Sequence, residues 1–207
     1  MAGKFITLEG GEGVGKSTQL QALAEAFRYK GLTVITTREP GGSAGAEAIR
    51  TLLMTGSEDR WSARAEALLF AAARADHVEK LIRPALARGD WVLCDRFIDS
   101  TRAYQGGAGG LSDDEILALH KVGSEGLMPD RTLVLMLPTN DANARADVRD
   151  GGMPDRFGAK NSTYHQRVAT AFDVMAAQEP ARIRLVSGEG AAHDVTARLL
   201  NALADLL

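Results

Sequence analysis

Leu8–Thr18 reads LEGGEGVGKST, with four glycines between positions 10 and 15 and then Lys16, Ser17 and Thr18. An apolar, strand-like run, KFITLE (4–9), precedes it, and STQLQALAEAFRYKG (17–31) comes after it. In that second segment Leu20, Leu23, Ala24 and Phe27 fall on one helical stripe, and Gly31 marks a helix stop. Gly10–Ser17 fits G-x-x-x-x-G-K-[ST] in the strand–loop–helix setting that gives the pattern meaning. Glycines let a backbone come close to a ligand, successive N–H groups form a nest for phosphate oxygens, and the helix start adds its dipole. Lys16 is suited to neutralise the β and γ phosphates and Ser17 to hold Mg²⁺. A dinucleotide fingerprint fits less well, because GEGVG is G-x-G-x-G.

Further runs of strand character are LTVITTRE (32–39), WVLCD (91–95), RTLVLML (131–137) and RIRLVS (182–187). They alternate little between apolar and polar, as strands covered on both faces do. Between them lie segments of helical period. Residues 62–89 read as one long helix, kinked at Pro84 and ended at Gly89. Ser112 and Glu115 form a capping box for the next helix. Segments 161–180 and 194–207 complete the set. The expected fold is α/β: a three-layer P-loop NTPase arrangement with a five-stranded, mostly parallel sheet flanked by helices. One domain over 1–207 is expected, with a small mobile lid at about 149–158. Residues 104–114 and 149–158 read as glycine-rich loops.

The chain has 207 residues, 45% hydrophobic and 25% charged, with a net charge of −3, which gives no general electrostatic basis for nucleic-acid binding. The one cysteine, Cys94, excludes an intrachain disulfide framework and reads as a core residue. No run approaches the roughly 20 apolar residues of a membrane span, and no leader segment is evident. A cytoplasmic protein without membrane or nucleic-acid partners is expected. The four histidines (77, 120, 165, 193) lack zinc-ligand spacing and read as surface or helix residues.

A phosphate loop alone does not specify a reaction. No Asn-Lys-x-Asp guanine-specificity segment is present. Arginines stand at strand ends and in loops: Arg38, Arg74, Arg96, Arg145, Arg149 and Arg156. Their planar forks suit phosphate oxygens, and their number suits two phosphorylated substrates meeting. An acceptor that is itself a phosphate needs alignment and charge neutralisation rather than a general base. Transfer from ATP to a phosphate is the favoured chemistry. Another nucleotide or nucleoside kinase, and a nucleotide-dependent switch without turnover, remain alternatives.

Several segments together, in this order, carry a closer resemblance: LEGGEGVGKST (8–18), TREPGG (37–42), FAAARADHV (70–78), DRFIDSTRAYQGG (95–107), PDRTLVL (129–135) and RADVRDGGMPDRFG (145–158). The chain resembles the bacterial thymidylate kinase family over nearly its whole length. The resemblance implies transfer of the γ-phosphate of ATP to dTMP, with Mg²⁺, in a homodimer. It implies that Gly10, Gly11, Glu12, Gly13, Val14, Gly15, Lys16, Ser17 and Thr18 cradle ATP. Arg145 would stack on adenine, and Ser187 and Gly188 would wrap it. Arg38 and Arg96 would hold the acceptor phosphate, and Glu12 the sugar 3′-hydroxyl. Asp95 would order Mg²⁺ with Ser17.

On spacing alone Phe70 reads as packing and Tyr104 as an ordinary half-buried tyrosine. The resemblance instead places Phe70 against the pyrimidine and Arg74 on its O4 edge. Thr101 and Gln105 would complete the base contacts, and Tyr104 would lie under the deoxyribose. It makes Lys16, Arg96, Glu12 and a lid arginine, Arg149 or Arg156, the catalytic set. Two residues depart from the family pattern: Phe97 replaces a commoner Tyr or His, and Arg102 puts a charge beside the expected base pocket.

Overall fold

The computed structural model describes residues 3–138 and 156–207. Five strands form one sheet: β1 (Phe5–Gly10), β2 (Val34–Arg38), β3 (Trp91–Asp95), β4 (Arg131–Met136) and β5 (Ile183–Ser187). Their order is β2-β3-β1-β4-β5, and every pairing is parallel. The helices are α1 (Lys16–Tyr29), α2 (Ala44–Met54), α3 (Ala63–His77), α4 (Arg83–Ala87), α5 (Ile98–Thr101), α6 (Asp113–Ser124), α7 (Ser162–Gln178) and α8 (Ala192–Asn201).

In β1, β3 and β4 the missing alternation follows from burial on both faces, whereas the edge strands β2 and β5 are partly exposed. Every residue of β1 is buried. Ile6 and Leu8 pack with Leu20, Leu23 and Phe27 of α1 and Val195 and Leu199 of α8. Phe5 points the other way, to Val92, Cys94, Val78, Ile82, Phe97 and Ile116. Cys94 is fully buried, and burial raises its thiol pKa, so it serves the core. The register sets Leu8 and Arg38 beside Asp95, which brings the carboxyl ends of β1, β2 and β3 to one level. Ligands of open parallel sheets gather beyond such ends.

Three local readings change. Residues 62–89 are not one helix: a π-helical turn, Val78–Ile82, separates α3 from α4, with Arg83 N–H bonded to Val78 O. Pro84 has no N–H to continue the α-helical ladder, and the wider turn before it absorbs the mismatch. Gly89 closes the segment at φ 86°. Residues 102–107, expected to begin a loop at 104, form a second π-helical turn that is largely buried. α2 was not evident from periodicity; Ser43 caps it, its Oγ accepting from Ala46 N, and only Ala46 and Leu53 of its residues are buried. The Ser112–Glu115 capping box is present in both directions.

Candidate active site

A cleft of about 850 Å³ opens over the carboxyl ends of β1, β2 and β3, from the phosphate loop to Phe70. Its phosphate-loop end is built by the turn from β1 to α1. Gly10, Gly13 and Gly15 adopt φ of 128°, 71° and 95°. A Cβ on Gly10 would lie 2.4 Å from Leu135 O, so a side chain there meets fixed backbone. No side chain caps α1 at Gly15, which leaves its first-turn N–H groups for an anion. Lys16 is buried, its Nζ 2.6 Å from Gly11 O and 3.3 Å from Gly10 O. Burial, and then the Arg96 charge, lower its pKa. An arriving polyphosphate would reverse both effects by supplying negative charge.

Ser17 Oγ donates to Asp95 Oδ2 at 3.1 Å. Asp95 Oδ1 is buried with no hydrogen-bond partner among the described residues. A hydroxyl beside a half-satisfied carboxylate suits a hydrated Mg²⁺ that takes its remaining ligands from phosphates and water. Among the described residues no group of three or more His, Cys, Asp or Glu could hold a metal by itself.

Arg96 links the two ends. It follows β3 in a left-handed conformation, φ 69°, unusual for a side-chain-bearing residue. Its Nη1 donates to Gly10 O at 2.9 Å and Ser100 Oγ at 3.1 Å, and its Nη2 to Glu12 Oε1 at 2.5 Å. Its guanidinium stands 5.0 Å from the Tyr104 ring centre. Beneath it lies Glu9, fully buried, whose two oxygens accept from Phe97 N at 2.8 Å and Ser100 Oγ at 2.5 Å. Burial, with help from Asp99, pushes the Glu9 pKa up to about 8. Glu9 therefore braces the turn that carries Arg96. The Tyr104 hydroxyl, its pKa raised by burial to about 12, is buried without a hydrogen-bond partner among the described residues.

The opposite end of the cleft is a buried ionic assembly. Glu39 Oε2 accepts from Arg74 Nε at 2.7 Å, and its Oε1 lies 3.0 Å from His77 Nδ1. His77 Nε2 is 2.8 Å from Thr37 Oγ1. Arg74 Nη2 donates to Thr101 Oγ1 at 2.9 Å, and these contacts leave Nη1 over. Arg38 is more exposed, held by both oxygens of Glu47 at 3.2 Å. Phe70, Tyr104 and Phe157 form the apolar wall, with ring centres 5.7 Å apart for Phe70–Phe157 and 6.3 Å for Tyr104–Phe157.

The cleft brings together Glu12, Gly13, Val14, Gly15, Lys16, Ser17, Thr18, Arg38, Phe70, Arg74, Asp95, Arg96, Thr101, Tyr104, Gln105 and Gly188. Gly10 and Gly11 lie behind its wall as carbonyl partners of Lys16 and Arg96. Ser187 lies at the end of β5, its carbonyl accepting from Arg198 Nη1 at 2.5 Å. Arg145 and Arg149 lie outside the described residues, as do lid positions 149–155.

Arg156 is not brought to the cleft. It is buried, with Nε on Ser57 O, Nη1 on Leu53 O, and Nη2 on Glu58 O and Glu66 Oε2, at 2.7 to 3.1 Å. The arginine expected to swing onto the phosphoryl is in this structure held against the corner between α2 and α3. Arg102 also points elsewhere, to Asp113, Asp99 and Glu179, so the base pocket does not receive its charge. Phe97 is fully buried, edge-on to Phe5 at 4.8 Å and beneath Arg74 at 5.0 Å. His77 and His120 lie in helices α3 and α6, one of the two places expected for them, and both are buried; burial lowers the His120 pKa to about 4.

Five participants escaped the sequence reading: Glu9, Arg50, Glu66, Ser100 and Phe157. Arg50, whose Nη1 donates to Pro40 O at 2.8 Å, comes from the unforeseen α2 and lines the cleft. Ser100 stands one turn after Arg96, a spacing that carries no signal until Glu9 is known to be beneath it.

A thymidylate kinase family model matches residues 8–198. A curated thymidylate kinase of Rhizorhabdus wittichii is 61% identical over 207 residues, covering all of both chains. One from Rhodopseudomonas palustris is 50% identical over 205 residues, 98% of this chain and 89% of that protein. The crystal structure of thymidylate kinase from Ehrlichia chaffeensis superposes with a TM-score of 0.77 at 30% identity, covering 98% of this chain and 99% of that one.

Proposed function

The chain belongs to the thymidylate kinase family, and we propose that it transfers the γ-phosphate of ATP to dTMP, giving dTDP and ADP. One observation supports this most: a phosphate loop with a buried Lys16 shares its cleft with Arg38, Arg50 and Arg96 and with a pocket of Phe70, Arg74 and Gln105. That is a donor-phosphate seat facing an acceptor-phosphate seat, with a ring pocket behind it.

In this reading the N–H groups of residues 13–18 and Lys16 hold the ATP β and γ phosphates. Ser17 and Asp95 hold Mg²⁺ and its waters. The ion would neutralise phosphate charge. Arg38, Arg50 and Arg96 hold the dTMP phosphate in line. The acceptor oxygen is already anionic at neutral pH, so no side chain must remove a proton from it. Glu12 accepts from the sugar 3′-hydroxyl while keeping Arg96 aimed. Tyr104 closes the space beneath the deoxyribose, Phe70 packs on the base, and Arg74 donates to O4. A donor there favours thymine over cytosine, which carries an amino group at that position.

Between the two lid arginines, the commitments of Arg156 to backbone and Glu66 leave Arg149 as the one we assign to the migrating phosphoryl. Arg145, Ser187 and Gly188 would enclose adenine. We further assign one kinase domain over 1–207, a cytoplasmic site of action and a homodimer. Leu68 on α3 and Val122 on α6, helices that pack together, expose apolar side chains suited to such an interface. Among the described residues no helix is long and apolar enough to cross a membrane.

The test is coupled ADP release with Mg-ATP and dTMP, dUMP, UMP, dCMP, AMP or GMP. A strong preference for dTMP is expected. Preference for another monophosphate would overturn the pocket assignment, and release independent of any monophosphate would overturn the reaction.

A further inference from the structure

Gln105 lines the ring pocket, yet what its amide presents there is decided behind the pocket wall. Its Nε2 donates to Glu66 Oε1 at 2.8 Å. The other Glu66 oxygen accepts from Arg156 Nη2 at 3.0 Å, an ion pair within the protein. Arg156 is in turn fixed by the carbonyls of Leu53, Ser57 and Glu58. Gln105, Glu66 and Arg156 are 2%, 8% and 4% exposed, so bulk water does not compete for the Gln105–Glu66 contact.

A carboxylate paired with arginine only accepts hydrogen bonds. The amide nitrogen of Gln105 must therefore face Glu66. A half-turn of the amide would set its carbonyl oxygen against the carboxylate, acceptor to acceptor, in a buried place. The carbonyl oxygen is the atom left for the cleft. In the same cleft Arg74, held by Glu39 and Thr101, can only donate. A donor and a fixed acceptor match a ring edge carrying a carbonyl and an adjacent N–H. They oppose an edge carrying an amino group and a ring nitrogen lone pair.

We propose that Glu66 is a specificity-determining positioning residue: it locks the Gln105 amide so that the pocket takes pyrimidines with an N3–H, thymine or uracil, and rejects cytosine. Arg156 is the strut that keeps the Glu66 carboxylate in place. This rests on the dTMP reading of the cleft.

The experiment measures kcat/KM for dTMP and dCMP in the wild type, Glu66→Gln, Gln105→Ala and the double variant. Both substrates meet the same enzyme, so their ratio does not depend on the fraction folded. Glu66→Gln is expected to lower the dTMP/dCMP ratio by about tenfold, the worth of one net hydrogen bond, with the ATP KM unchanged. On the Gln105→Ala background it should move the ratio no further, because Glu66 acts through Gln105. Should Glu66→Gln not fold, Glu66→Gln with Arg156→Met removes both charges together, and the same fall is expected. An unchanged ratio in Glu66→Gln, with a fall in Gln105→Ala, would overturn the role of Glu66 alone. An unchanged ratio in Gln105→Ala would overturn it together with the placement of the base.

Discussion

Arg96 Nη2 lies 2.5 Å from Glu12 Oε1, so the first residue after β3 is tied to the middle of the phosphate loop. The pair spans donor and acceptor ends of the cleft, and Glu9 fixes the turn from which Arg96 reaches. A lysine there would keep the charge and lose the fork that meets Gly10, Glu12 and Ser100 together. Arg96→Lys should lower kcat by roughly 100-fold, as loss of one aligned charge-stabilising donor does. Steady-state kinetics, with circular dichroism to show an intact fold, check it; a kcat within threefold of wild type would contradict the bridging role.

Arg156 separates a structural from a chemical arginine. Arg156→Ala leaves Glu66 as a buried, unpaired carboxylate, which should cost about 3–5 kcal/mol. The melting temperature should fall by roughly 10 °C. At a temperature where the variant is folded, single-turnover transfer at saturating substrates should stay within about tenfold of wild type, against the roughly 10³ or more expected for a transition-state arginine. An unchanged melting temperature with a thousandfold slower transfer would return Arg156 to the phosphates.

Gly42 has φ 86°, and a Cβ there would lie 2.3 Å from His77 Nε2 and 2.5 Å from Thr37 Oγ1. Gly42→Ala should push His77 off Glu39 and loosen Arg74. The dTMP KM should rise about tenfold with the ATP KM unchanged, and the melting temperature should fall by about 5 °C. Equal rises in both KM values would show that the disturbance is not confined to the acceptor end.

Glu9 predicts a pH dependence. Its folded pKa, near 8, exceeds the ordinary value of 4.5, so between these the folded state holds the extra proton. The stability it contributes is complete below about pH 4.5 and is lost as pH rises through 8, by up to about 1.4 kcal/mol per pH unit. Glu9→Gln keeps an acceptor for Phe97 N and has no proton to lose. Urea unfolding of both proteins from pH 5 to 8 should show the wild type losing stability relative to the variant. A constant difference would mean that Glu9 titrates normally.

The fold was legible because burial leaves a plain mark: β1 and β3 are buried on both faces and read as largely apolar runs without alternation, and the glycine loop signals the turn from β1 into α1. The cradle of Lys16, Ser17 and Asp95 was legible for the same reason, since strand ends and loop spacing locate it. α2 was not, because a helix burying only Ala46 and Leu53 leaves a weak stripe, and Arg50 was lost with it. The anchoring of Arg156 was not legible, because the acceptors that hold it come from residues 53–66 and are invisible to local reading. Glu9 stands within the Leu8–Thr18 stretch, but nothing near it in sequence signals that Ser100 and Phe97 close over it.

The most direct measurement tracks the phosphorus. The protein is incubated with ATP labelled in its γ-phosphate, Mg²⁺ and dTMP, and the nucleotides are separated. Label is predicted in the β-phosphate of dTDP, equimolar with ADP and absent when dTMP is omitted. Label released as inorganic phosphate at a rate indifferent to dTMP would contradict phosphoryl transfer to dTMP.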